Sequence, residues 1–115
     1  MESEEKVYKI GHASLKLRTS LKLRNNQYFV RHHKRQVRDC ETEMWSALKQ
    51  LRHVLGSKYY KLMKLRYIEN KTLEQVGKEM GVTRERIRQI EHKVWAIIKF
   101  YEDDMYKHNN AKKHE

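Results

Sequence analysis

From Glu41 onward, apolar positions recur three and four residues apart. Met44, Trp45, Leu48, Leu51 and Leu55 fall on one side of a helix, the spacing of a buried face. Gly56 suits the left-handed conformation that closes such a helix, and Ser57 can cap the next. Tyr59, Leu62, Met63, Leu65, Arg66 and Ile68 continue a second amphipathic segment up to a break at Asn70-Lys71. Thr72-Leu73-Glu74-Gln75 then has the form of a capping box, in which hydroxyl and amide side chains satisfy two free backbone N–H groups reciprocally. It opens a short helix over 73–80 with Leu73, Val76 and Met80 on one side. Gly81 ends that helix, Val82 plugs the turn, and Thr83 caps a long final helix running to about Lys107. Along it, Ile87, Ile90, Val94, Ile97 and Tyr101 form one predicted apolar stripe.

The first 38 residues are harder to read. The sequence repeats Ser14-Leu-Lys-Leu-Arg18 as Ser20-Leu-Lys-Leu-Arg24. Alternation of apolar and basic residues is strand-like. Four residues fit equally well in one turn of a basic amphipathic helix, or in a segment that orders only on binding. Tyr28, Phe29 and Val30 make a small apolar knot before the cluster Arg31-His32-His33-Lys34-Arg35. The expected organisation is a basic N-terminal arm over 1–38, a helical domain over 39–107 and a polar, frayed tail over 108–115. The expected class is all-α, which the absence of proline and the presence of only four glycines support.

Charge narrows the partner. The formal net charge is +11 over 115 residues, which favours a polyanion, nucleic acid before an acidic membrane surface. Residues 14–38 contain eight Lys or Arg and no acid. The single cysteine, Cys40, excludes an intrachain disulfide and fits a reducing compartment. The acidic start Met1-Glu2-Ser3-Glu4-Glu5 is unlike a signal peptide. No run approaches the roughly 20 apolar residues of a membrane span. A cytoplasmic protein is expected, with no membrane association.

Two helices joined by a short turn with glycine at its first position make a helix-turn-helix pattern. Opposite the apolar stripe, the last helix carries Arg84, Glu85, Arg88, Gln89, His92, Lys93, Ala96 and Lys99. These side chains suit base edges: arginine donates twice to guanine, glutamine pairs with adenine, and a carboxylate accepts from cytosine. Recognition helices read with their N-terminal residues. Thr83 and the free amides of the first turn can hold a phosphate.

The run from Thr72 to Lys93, and above all Val82-Thr-Arg-Glu-Arg-Ile-Arg-Gln-Ile-Glu91, closely resembles the C-terminal region 4 of bacterial sigma-70 family factors. Ala47-Leu-Lys-Gln-Leu51 and Leu62-Met-Lys-Leu-Arg-Tyr67 resemble the helices that precede it in that family. The resemblance covers about residues 43–100. It implies a region 4-like helical bundle with a long C-terminal recognition helix. It also implies binding to the promoter −35 element of double-stranded DNA and docking on the β-subunit flap of bacterial RNA polymerase. Arg84, Glu85, Arg88 and Gln89 occupy base- or phosphate-contacting positions, Thr72 a phosphate contact, and Lys93 a contact to backbone or activators. Leu62, Leu65, Arg66 and Tyr67 lie in the polymerase-binding segment. The domains with which sigma factors melt DNA and grip the polymerase core have no room in this chain, so another protein is expected to supply those functions. Ala96 and Ile97 depart from the basic residues the family often places there.

The histidines His32, His33, His53, His92 and His108 lack Cys or acidic partners at ligand spacing. They are expected to be solvated, with no metal, cofactor or small-molecule ligand. Glu102-Asp103-Asp104 have no positioned base or nucleophile nearby and read as solvated charge, so no enzyme is expected. The expected function is a sequence-specific transcription regulator that reads a −35-like element and contacts RNA polymerase, in the bacterial nucleoid, with a phage-infected cell as one setting. The basic arm would add phosphate contacts or grip another part of the polymerase. The alternative is a protein that binds polymerase or an anti-sigma factor and redirects transcription by mimicking region 4.

Overall fold

The computed structural model describes residues 4–113, with side chains described for residues 5–107. Among these the regular elements are helices: α1 (Glu4–Asn25), α2 (Gln27–His32), α3 (Lys34–Met63), a π-helical segment (Lys64–Ile68), α4 (Leu73–Met80) and α5 (Arg84–Lys113). α3 bends at Gly56, whose backbone leaves the helical region (φ 83°, ψ 162°). The second arm of α3 then folds back on the first. Arg52 lies over the Tyr60 ring, and Lys49 and Lys64 both lie over Trp45. Asn70 takes the left-handed conformation at the predicted break (φ 57°), which asparagine tolerates better than most residues.

One core serves the whole bundle. Met44, Ala47, Leu48, Leu51 and Leu55 of α3 meet Leu62, Met63 and Leu65, Val76 of α4, and Ile87, Ile90, Val94 and Ile98 of α5. The stripe on α5 differs from the sequence expectation at one position. Ile98 is fully buried and Ile97 only partly so. A 3.6-residue helix drifts against a strict 3–4–3–4 count. The buried series therefore runs Ile87, Ile90, Val94, Ile98 and on to Met105.

The N-terminal region corrects a larger expectation. Residues 4–25 form a 22-residue helix, α1, and Ile10, Ala13 and Leu17 belong to the same core as α3 and α5. The packing shows no boundary near Asp39. α1 seats closely because its inner face is small. A Cβ added at Gly11 would lie 2.5 Å from Met105 Cβ and 2.7 Å from the Tyr101 carbonyl. Buried Ser14 returns its hydroxyl to the Ile10 carbonyl at 2.9 Å, and Ser20 donates to Glu43 at 3.5 Å.

Polar contacts fix the register of α1. Arg18 faces Glu102 at 3.2 Å and lies over the Trp95 ring. Glu102, expected to be solvated, has a side chain only 12% exposed. Further along, Arg24 donates to the Tyr67 carbonyl. Of the expected tail, α5 carries the backbone on to Lys113, while the side chains of 108–115 and all of 114–115 lie outside the described residues.

If α1 is part of the core, Gly11→Val should destabilise the protein by about 1–3 kcal/mol through overpacking. Leu17→Ala should cost about 2–5 kcal/mol. Urea unfolding followed by circular dichroism measures both, and an unchanged midpoint would show that α1 is a dispensable arm.

Candidate nucleic-acid interface

The turn between α4 and α5 is built from its caps. The Thr72 hydroxyl accepts from the Gln75 N–H at 3.2 Å, and the Gln75 side chain accepts from the Thr72 N–H at 2.9 Å, completing the capping box. A hydroxyl that accepts in this way can still donate its own proton. At the other end Gly81 takes the left-handed conformation (φ 73°, ψ 30°) and its N–H bonds the Gly77 carbonyl, as C-caps commonly do. Thr83 then caps α5, accepting from the Arg86 N–H at 3.1 Å.

Gly77 is a residue the sequence reading missed. It is buried inside α4, and a Cβ there would lie 2.7 Å from the Val82 carbonyl. The Val82 N–H also bonds the Gly77 carbonyl at 2.9 Å. The missing side chain lets the turn fold back onto α4 and so sets the angle at which α5 leaves. A glycine inside an otherwise sound helical pattern was the available signal.

The predicted DNA-binding residues come together. Thr72, Thr83, Arg84, Glu85, Arg88, Gln89 and Lys93 are all exposed. Arg84 shares a cleft with Thr72, Leu73, Glu74 and Arg66 at the start of α4. One turn on, Arg88, Gln89 and Lys93 line a second concavity with His92, which the sequence places on the same face, and Arg86, which it does not. Arg86 Nη1 donates to the Gln89 side-chain oxygen at 3.4 Å, so the Gln89 amide nitrogen is left to donate outward.

Glu85 and Arg88 are paired in advance. Arg88 Nη2 lies 2.6 Å from Glu85 Oε1, and Arg88 Nε lies 3.1 Å from both carboxylate oxygens. This hydrogen bonding holds the Glu85 carboxyl below the usual carboxylate range and raises Arg88. Both side chains are 62% exposed, so solvent screens the pair and it contributes little to stability. Its effect is orientation: the carboxylate is ionised at neutral pH and steers the guanidinium.

The four residues that the resemblance assigned to polymerase sit differently. Leu62 is 0% and Leu65 3% exposed, both in the core. They are buried because the second arm of α3 folds back on the first. Arg66 Nε bonds Glu91 Oε2 at 3.2 Å, and Arg66 Nη1 bonds the Lys71 carbonyl at 2.9 Å. The Tyr67 hydroxyl donates to Glu91 Oε1 and accepts from the Trp95 indole N–H at 3.2 Å. These side chains tie the π-helical segment to α5 and do not form an open surface. Glu91 is thus a second residue the sequence reading missed, a largely buried carboxylate beside the apolar stripe.

Among the described residues no group of three or more His, Cys, Asp and Glu is placed to hold a metal ion. No helix there is long and apolar enough to cross a membrane. Cys40 is buried, and burial, then the neighbouring Glu43, Asp39 and Glu41, pushes its thiol up.

Glu91→Ala should cost about 1–3 kcal/mol, because it leaves Arg66 and Tyr67 without their acceptor. Thermal unfolding checks this. Lowering the pH should protonate Glu85 only below the ordinary carboxylate range. The pair is intact above that range and is lost as pH falls through the lowered Glu85 pKa. Carboxyl NMR titration of Glu85 should show the depressed midpoint, and Arg88→Ala should bring it back up.

A family model, Sigma-70, region 4, matches residues 57–96. The match spans the second arm of α3, the π-helical segment, α4 and the first turns of α5. No curated protein and no solved structure matches the chain.

Proposed function

We propose that residues 57–96, which match the sigma-70 region 4 family model, act as a DNA-binding helix-turn-helix and that the protein is a sequence-specific transcription regulator. α5 enters the major groove of a −35-like promoter element. Arg88 and Gln89 donate to base edges, Glu85 accepts from a base amino group, and Arg84, Thr72, Thr83 and Lys93 hold flanking phosphates. The observation that carries the reading is the exposed set Arg84, Glu85, Arg88 and Gln89 on the first turns of α5, with Glu85 and Arg88 already paired, directly after a turn fixed by Gly77 and capped by Thr83.

Association with bacterial RNA polymerase through its β-subunit flap is part of the same proposal and rests on the domain type. Leu62 and Leu65 support the segment from beneath. The side open to polymerase is that of Lys61, with half-buried Tyr60 and Lys64.

Binding to a −35-like duplex and to a scrambled duplex tests the DNA reading. Glu85→Ala and Gln89→Ala should each narrow the discrimination by about 1–3 kcal/mol, roughly 5- to 150-fold. Arg84→Ala should weaken both duplexes about equally, as expected for loss of a phosphate contact. Equal affinity of the unsubstituted protein for both duplexes would refute sequence reading.

A further inference from the structure

The strongest unassigned feature lies at the tip of the hairpin made by α1, α2 and α3. Residues 6–38 contain no Asp or Glu. Two of their arginines are used inside the fold, Arg18 on Glu102 and Arg24 on the Tyr67 carbonyl. Lys22, Arg31, Lys34, Arg35 and Arg38 are exposed, and none of the ion pairs of the described residues includes them. Five like charges gathered at one end repel one another and raise the local potential for an anion.

α2 itself contributes nothing to the core. It is six residues long and buries none of them. Asn26 caps it, accepting from the Phe29 N–H at 3.0 Å, and the rings of Tyr28 and Phe29 pack on His32 and His33 with centroids 4.4 and 5.1 Å apart. Tyr28 stays 71% exposed and Val30 38%. A cap and two ring pairs therefore order a segment that buries none of its residues, and it carries Arg31 directly before Lys34 and Arg35 at the start of α3.

The tip is also tied to the DNA-facing end. Arg24 stands three residues before the start of α2 and bonds the Tyr67 carbonyl. From there, five residues lead to Thr72, the cap of α4. Six helical residues span about 9 Å, enough to follow two or three phosphates at about 3.4 Å of axial rise each.

We propose that α2 and the start of α3 form a second nucleic-acid contact. Arg31, Lys34 and Arg35 grip the sugar–phosphate backbone of the same duplex, outside the element that α5 reads. The inference rests on the proposed DNA reading for its partner. It adds a sequence-independent anchor that lengthens the footprint and raises affinity without changing base preference. Phosphate is favoured over an acidic protein because the cations cluster on α2 and the start of α3, at a tip that Arg24 joins to the loop before the helix-turn-helix.

The test uses the full chain and two duplexes carrying the same −35-like element, one ending at its edges and one extended on both sides. Dissociation constants are measured over a salt series for three proteins: unsubstituted, Arg31→Ala/Lys34→Ala/Arg35→Ala, and Arg84→Ala/Arg88→Ala. The triple variant should lower the slope of log K against log salt by about two to three on the extended duplex, at about 0.9 per phosphate contact. It should leave the short duplex and the base preference unchanged, while Arg31→Lys/Arg35→Lys should retain the slope. Melting of the triple variant at the unsubstituted temperature confirms that the loss is one of contact. An unchanged slope in the triple variant, with a reduced one in Arg84→Ala/Arg88→Ala, overturns the second contact and leaves the α5 reading standing. The reverse pattern upholds the second contact and removes α5 from the reading. Absence of DNA binding by the unsubstituted protein overturns both.

Discussion

The helix-turn-helix end of this protein hangs on one carboxylate. Glu91 lies on α5 with its side chain 13% exposed, and it accepts from both Arg66 and Tyr67. Through Arg66 it reaches the Lys71 carbonyl, and so the loop that leads to Thr72. Tyr67 connects it to Trp95, and the Tyr67 carbonyl connects it to Arg24 of α1. Four parts of the chain meet there: α1, the π-helical segment, the α4 entry loop and α5. A recognition helix can read bases only if its support does not shift, because one ångström of misplacement breaks a bidentate hydrogen bond. Glu91 stands on the same helix as Gln89, two residues on, so support and reading surface are joined through one turn of backbone.

This arrangement explains why residues that resemble a partner-binding segment are turned inward. Leu62 and Leu65 fill the core because the bend at Gly56 returns the second arm of α3 against the first. Arg66 and Tyr67 are polar, and polar groups at this depth need partners. Glu91 supplies them. The stretch over 58–68 therefore has an inner face that holds the helix-turn-helix and an outer face with Lys58 and Lys61 exposed.

The C-terminal half of the fold was legible in the sequence, because its signals are local and each has a mechanism. The capping box at Thr72, the left-handed cap at Gly81 and the Thr83 cap follow from residue chemistry within four positions. The exposed polar face at the start of α5 was legible for the same reason. What escaped was α1. Its inner face is made of Ile10, Gly11, Ala13, Ser14, Leu17 and Ser20, too small and polar to register as an apolar stripe. Its burial comes from close approach to both α3 and α5, a tertiary fact that periodicity cannot carry. Gly77 and Glu91 escaped likewise, since the Val82 carbonyl and the Arg66–Tyr67 pair are neighbours only once the chain is folded.

Reading DNA with α5 is the claim on which the rest depends, and selection from a pool of random duplexes by the full chain tests it most directly. The account predicts that a single consensus emerges, and that the Gln89→Ala protein loses preference at one position of it while keeping the others. Enrichment without a consensus, or an identical consensus from the Gln89→Ala protein, would contradict it.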